Sequence, residues 1–260
     1  MLLTRNLPKL QTKPVKMSDG RKIMQQIKEG CLLCGSELLY CQQAAPEKCL
    51  ICGQTFQTTT KCQNGHYICD TCHAGNILQN IESLLMNSTE ADPIALALRI
   101  FELPRLNMHG PEYHSIVPAV LVTAYQNLTG QRSLPDIQEA IRRGRSTPGG
   151  SCGTMGSCGA GTGAGIAVAA LEKATPLTAQ PRSKANLATA QALMAISQHQ
   201  GARCCKRDAI TTIRTFIVTT PYFHDIELAT YHCRQYKSNK TCLGGQCPYL
   251  NIRKDSSTHE

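Results

Sequence analysis

The segment GCLLCGSELLYCQQAAPEKCLICGQTFQTTTKCQNGHYICDTCH, Gly30 to His73, carries four ligand pairs in succession. Cys31/Cys34 and Cys49/Cys52 are C-x-x-C pairs followed by glycine, Cys62 and His66 are separated by three residues, and Cys69/Cys72 closes the series. A C-x-x-C-G turn aims two thiolates at one ion, and its glycine lets backbone N–H groups approach the sulfurs; four such ligands satisfy tetrahedral zinc. The segment therefore reads as a structural module that binds two zinc ions, because a stretch this short has too few apolar residues to fold unaided. Two pairings fit the spacing. A cross-braced, treble-clef-like module gives Cys31, Cys34, Cys62 and His66 to one ion and Cys49, Cys52, Cys69 and Cys72 to the other. A zinc ribbon uses only the second set and leaves Cys31/Cys34 to Cys41, His66 or His73. Cross-braced RING folds often bind ubiquitin-loading enzymes, but no apolar groove signature here singles out that activity.

Working outward, cysteine usage divides the chain of 260 residues: eight lie from Cys31 to Cys72, none from 73 to 151, and seven from Cys152 to Cys247. The total of 15 is odd, and the N-terminal stretch has neither the apolar run nor the small-residue cleavage site of a secretory signal. The expectation is a reduced, cytoplasmic protein whose thiols bind metal or do chemistry. No apolar run approaches membrane-spanning length. Of the net charge of +9, much sits in residues 1–29, where Arg5, Lys9, Lys13, Lys16, Arg21, Lys22 and Lys28 precede the module with Asp19 among them. Such a basic flexible leader offers a surface to RNA, or is simply solvated.

Residues 76–250 read as a mainly α domain, followed by a disordered tail at 251–260. Ile94, Ala97, Leu98 and Phe101 recur at helical spacing after Asp92-Pro93, a pair that suits an N-cap with proline in the first turn. A helix is expected from Ser115, with Pro118 in its first turn, and further helices over 136–143, 165–173, 185–199 and 208–218. Strand signals are weak outside the module and FIVTT (216–220).

The Gly-rich stretch PGGSCGTMGSCGAGTGAG (148–165) formally contains G-x-G-x-x-A. A dinucleotide fingerprint needs a preceding strand and a Walker loop needs Gly-Lys-Ser/Thr; neither is present. Close helix packing and a thiol site remain. The thiol reading draws on Cys152 and Cys158 here, Cys204 and Cys205 in GARCCKRD, and Cys233, Cys242 and Cys247 in YHCRQYKSNKTCLGGQCPYL. Several of these precede helix starts, and Arg203, Lys206 and Arg207 add positive charge, so thiolates are expected to be favoured. These seven cysteines are the candidate ligands of an iron–sulfur cluster or a reactive-thiolate site, the glycines giving the backbone close access to it. In NMHGPEYHS, His109, Glu112 and His114 are candidates for acid–base catalysis, or turn residues that cap the next helix. His224 and His232 read as ordinary surface or packing histidines.

HGPEYHSIVPAVLVTAY, TPGGSCGTMGSCGAGTGAGIAVA, GARCCKRDAITTIRTF and CLGGQCPYL, in this order behind the zinc-like module, resemble a cysteine-rich domain-of-unknown-function family of methanogenic archaea and anaerobic bacteria. Its members are sometimes fused to SAM-dependent methyltransferases. The resemblance covers about residues 30 to 250 and includes Cys31, Cys34, Cys49, Cys52, Cys62, His66, Cys69 and Cys72, then His109, Glu112, His114, Cys152, Cys158, Cys204, Cys205, Cys242 and Cys247. The chain departs from it at Thr154 and Met155, where a bulky aromatic often stands. The resemblance implies a metalloprotein of anaerobic metabolism with a methyltransferase as a partner.

Together these readings give structural zinc ahead of an iron–sulfur or thiolate site, serving sulfur-transfer or lyase-type chemistry on a small-molecule or protein substrate. A non-catalytic zinc-dependent module for RNA or protein, and an accessory to a SAM-dependent methyltransferase, are the alternatives.

Overall fold

The computed structural model describes residues 30–31, 34–103, 105–224 and 226–250, together with the backbone of 15–16 and 22–23. Those four positions form a short antiparallel ladder, β1 (Val15–Lys16) with β2 (Lys22–Ile23). The rest of the basic leader, and the 251–260 tail, lie outside the described residues.

The N-terminal module is a hairpin followed by a helix. Strand β3 (Leu38–Lys48) runs antiparallel to β4 (Thr55–Cys62). Their register holds from Leu38↔Cys62 to Tyr40↔Thr60 and resumes at Ala45↔Thr58, so β3 bulges between Tyr40 and Ala45. A bulge of this kind bends the strand and re-aims its side chains. Helix α1 (Asp70–Asn87) starts directly after Cys69 and breaks at Gly75, whose φ of 28° suits glycine.

Beyond that break the protein is helical. Helix α2 (Pro93–Phe101) begins as its sequence requires: Asp92 Oδ1 accepts the Ile94 N–H at 2.7 Å, and Pro93 occupies the first turn. The central element is α3 (Glu112–Thr129), buried on all sides from Glu112 to Ala124. It packs against α1, α2, α4 (Leu134–Arg145), α6 (Gly159–Leu171) and α8 (Cys205–Thr219). Fully buried Ile116, Val117, Val120 and Leu121 lie at its heart. Full burial of each such side chain contributes about 1.5–3 kcal/mol.

Helix α3 begins three residues before the expected Ser115, with Pro111 at its N-cap. Pro118 is therefore an interior proline and cannot donate to the His114 carbonyl. Gly144 of α4 packs against that carbonyl: a Cβ on Gly144 would sit 2.3 Å from it. Gly144 is thus a crossing point within α4 rather than the end of that helix.

Helix α6 likewise starts earlier than periodicity suggests. Gly159 and Gly163 face α3, where added Cβ atoms would meet the His114 ring and the Val117–Pro118 side chains. Gly161 and Gly165 face α7 (Ala179–Ser197), where they would meet Leu193, and Thr189 with the Ala185 carbonyl. Two interleaved small-xxx-small series thus let one helix touch two neighbours at once. These four glycines serve helix packing, which corrects the expectation that they give backbone access to a thiol centre.

FIVTT ends α8 as helix rather than strand, its Phe216 and Ile217 buried on the stripe begun by Ile210 and Ile213. From 226 onward the chain is extended and looped, with 3₁₀ turns at Tyr236–Ser238 and Gly244–Gln246. Tyr231 and Tyr249 pin it to the core, their rings 5.4 Å apart and Tyr231 edge-on to Phe101.

Candidate functional site

The module brings its eight predicted ligands together as two sets: Cys31, Cys34, Cys62 and His66, and Cys49, Cys52, Cys69 and Cys72. Within each set all ligand atoms lie within 4.8 Å of one another, so each can hold one metal ion. First pairs with third and second with fourth, which selects the cross-braced arrangement over the ribbon. Cys34 and Cys62 sulfurs are 3.5 Å apart, Cys52 and Cys69 sulfurs 3.8 Å. A tetrahedral ion with bonds of about 2.3 Å has an edge of about 3.8 Å, so the spacing is compatible with zinc. His66 offers Nδ1, 3.3 Å from Cys34 Sγ and 3.7 Å from Cys31 Sγ.

The turns explain why these residues converge. In the first, Cys31 N–H donates to Ser36 O and Gly35 N–H to Cys31 O; in the second, Cys49 N–H donates to Gln54 O and Gly53 N–H to Cys49 O. Gly35 and Gly53 share a φ of 73°, which glycine adopts without strain. Backbone N–H groups also face the sulfurs, Asn64 to Cys62 and Cys69 to Cys49, both at 3.3 Å. The Ser36 hydroxyl and backbone, then Cys62 and His66, hold the Cys34 thiol down to about 5. Burial pushes Cys49 up, but N–H groups of Cys52, Cys69 and Ile51 outweigh it and leave that thiol at about 6. Cys41 and His73 are outside both sets.

The module does more than bind ions, because it closes a cleft of about 1070 Å³ on the helical domain. Tyr40 and the bulged Cys41 and Gln42 form one wall; Gly150, Cys152, Cys158, Arg203 and His109 are prominent in the other. Three contacts fix the seam. Arg203 lies over the Tyr40 ring at 5.3 Å, Gly149 N–H donates to Asp70 Oδ2 at 2.7 Å, and His73 Nδ1 is 3.4 Å from the fully buried carboxylate of Glu112. Gly110 must be small here, since a Cβ would overlap that carboxylate.

The seven C-terminal cysteines divide into two groups rather than sharing one site. Cys152, exposed on the short helix α5 (Ser151–Thr154), and Cys158, the N-cap of α6, open into the cleft. Cys205 lies behind its wall, its sulfur accepting the Gly110 N–H, within electrostatic reach of Cys158 and Arg203. Cys204, Cys233, Cys242 and Cys247 instead line a separate small cavity between the start of α8 and the C-terminal segment. Helix ends and nearby cations do not turn the buried thiols into thiolates, as position alone would suggest. Burial dominates: it pushes Cys158 and Cys204 up to about 11 and raises Cys205 and Cys247 as well.

Of the three acid–base candidates, His109 alone faces the cleft. Its Nε2 is 3.3 Å from Asn239 Oδ1. Burial, then the Arg203 guanidinium, draws it down to about 4 against the pull of Asn239, so it is neutral near pH 7. His114 is buried beneath Gly159, with Nδ1–H donating to the Thr147 carbonyl at 3.0 Å. Glu112 is buried at the seam opposite His73. Tyr40, His199 and Asn239 were not singled out by sequence, and Arg203 only as a positive charge beside the thiols; each reaches the site through tertiary packing, for which no local motif exists.

A family model described as a family of unknown function (DUF5714) matches residues 81–250. The chain belongs to this family. The DUF5714 region spans the end of α1 (81–87) and all the later helices, and carries every C-terminal cysteine; the module with the two ligand sets precedes it. No curated protein and no solved structure matches the chain. No helix among the described residues is long and apolar enough to cross a membrane.

Proposed function

We propose that this DUF5714 protein is a zinc-braced, sulfur-handling enzyme of the sulfur-transfer or lyase class, acting on a small anionic substrate in the cleft between module and helical domain. Zinc at Cys31/Cys34/Cys62/His66 and at Cys49/Cys52/Cys69/Cys72 supplies structure, fixing the hairpin whose bulge forms one cleft wall. The observation that carries the reading is that Cys152 and Cys158, six residues apart, both open into a cleft large enough for a metabolite. Arg203 and Lys240 line the same space and suit a negatively charged group; neutral His109 stands in the same wall, its Nδ1 buried without a hydrogen-bond partner among the described residues. Exposed Cys152 is the thiol that meets substrate: its thiolate takes the terminal sulfur of a polysulfide-type donor as a persulfide and the shortened polysulfide leaves, while the half-buried Cys158, its thiol kept protonated by burial, lines the same cleft.

The test is to treat anaerobically purified protein with inorganic polysulfide, remove the excess, and locate persulfide by peptide mass and by cyanide release. Persulfide should concentrate on Cys152 and vanish in Cys152→Ser, while Cys41→Ser keeps it. Equal loading of Cys152→Ser and wild type would overturn the assignment.

A further inference from the structure

We infer that Cys204, Cys233, Cys242 and Cys247 form a four-thiolate iron–sulfur cluster site, separate from the cleft and from both ion sites of the module. All four line one small void of about 10 Å³, together with Met108, Tyr231 and Leu243. Their arrangement differs from that of the module. There, ligand atoms close to within 4.8 Å of one another; among the described residues no three of these four thiols do so. A single tetrahedral ion with bonds of about 2.3 Å would draw the sulfurs together and leave no void. A cluster places its own iron and sulfide atoms between the cysteine sulfurs and holds them farther apart.

The backbone is already set to receive thiolates. Gly244, at φ 57°, donates its N–H to Cys242 Sγ at 3.4 Å, the Tyr249 N–H faces Cys247, and the Arg207 N–H faces Cys204 at the start of α8. Cys233 is fixed by its own N–H, which donates to the Tyr249 carbonyl at 2.7 Å. Hydrogen bonds to the sulfurs are one means by which a protein tunes such a cluster.

Two further observations point to an anionic guest. Lys206 is 1% exposed, and among the described residues no carboxylate lies within 4.0 Å of its ammonium, which rests on the Phe101 ring and carbonyl within electrostatic reach of Cys204 and Cys233. Glu102 is the carboxylate within electrostatic reach of this ammonium; burying a cation without a direct ion pair is costly, and a cluster on four thiolates places negative charge beside it. The Tyr231 hydroxyl, buried without a well-formed hydrogen bond, lies against the Cys233 thiol in the same wall. The site adjoins the cleft: Arg207 lines both spaces, and Asn239 in the void's wall touches His109.

The experiment is anaerobic reconstitution of the full chain with ferrous iron and inorganic sulfide, followed by metal and acid-labile sulfide analysis and visible spectra. Iron and sulfide should bind in equal amounts, with the broad visible absorption of a cluster, while the module ions stay in place. Cys233→Ser and Cys242→Ser should each lose the iron and keep those ions, which shows that the variants are folded. Cys152→Ser and Cys158→Ser should keep the cluster, so persulfide loading can fail without touching this result. Lys206→Met preserves bulk and should retain the cluster with a lower reduction midpoint, since a nearby positive charge favours the reduced form. Absence of iron, a third zinc bound in its place, or loss of iron in Cys152→Ser but not in Cys242→Ser would each overturn the assignment.

Discussion

Asp70 Oδ2 accepts the Gly149 N–H at 2.7 Å, joining the first turn of the helix that carries Cys69 and Cys72 to the loop that introduces Cys152. One metal set and the cleft are therefore mechanically connected through a single charged hydrogen bond and the His73–Glu112 contact beside it.

That connection predicts how metal loss reaches the cleft. Stripping the module ions with a chelator should loosen the β3 wall and raise the alkylation rates of Cys152 and Cys158, read by mass-resolved iodoacetamide labelling. Asp70→Ala should do the same in part with both ions bound, at a stability cost of about 1.5–3 kcal/mol for a hydrogen bond to a charged group. Labelling rates unchanged by both treatments would show that the module does not close the cleft.

The cross-brace predicts metal content site by site. Cys31→Ser and Cys49→Ser should each lower the bound metal by one ion, and the double variant should bind none in the module, as read by elemental mass spectrometry. Cys41→Ser, outside both sets, should keep the full complement. Because each ligand thiol must shed its proton to bind, acid should release both ions.

Much of this was legible in sequence where the signal is local. The four ligand pairs are short spacings, and the Asp92-Pro93 start is a cap that needs no distant partner. The pairing of the ligands was not decided, because the two arrangements differ only in which turns meet in space. The starts of α3 and α6 were missed for a related reason. Pro118 and Gly159–Gly163 are poor helix formers taken alone, but α3 runs through the first and close approach to α3 and α7 requires the second. The seven cysteines were read as candidates for one site because several precede helix starts beside Arg203, Lys206 and Arg207, which does not tell Cys204 from Cys205. Successive residues at a helix start diverge by about a quarter turn, and here Cys204 lines the small void while Cys205 lies by Gly110 and Cys158.

The interleaved glycines of α6 should be separable by substitution. A Cβ on Gly165 would lie 2.6 Å from the Ala185 carbonyl and closer still to Thr189, so Gly165→Ala must push α7 away. Overpacking of this kind costs about 1–3 kcal/mol. Gly153, on the cleft side of α5, has nothing within 4 Å of an added Cβ. Gly153→Ala should be neutral or slightly stabilising, by up to about 1 kcal/mol. Denaturant titration of both variants measures the contrast, and equal losses would mean that the glycines are not packing residues.

The neutral His109 imposes a particular pH dependence. Its imidazole titrates near 6.5 in the unfolded chain and at about 4 in the folded one, because burial and then Arg203 disfavour the charged ring. Between those values the unfolded chain binds more protons, so this residue's contribution to stability is complete above about 6.5, falls as pH drops toward 4, and levels off below. His109→Gln removes the titration while keeping a polar side chain within reach of Asn239. Both proteins lose module ions in acid, so that loss cancels in their difference. The stability of wild type relative to His109→Gln should therefore decline only within this window, and the imidazole resonances of His109 should titrate below 5 in the ion-loaded protein. A midpoint near 6.5 would mean that the ring is solvated rather than built into the cleft wall between Arg203 and Asn239.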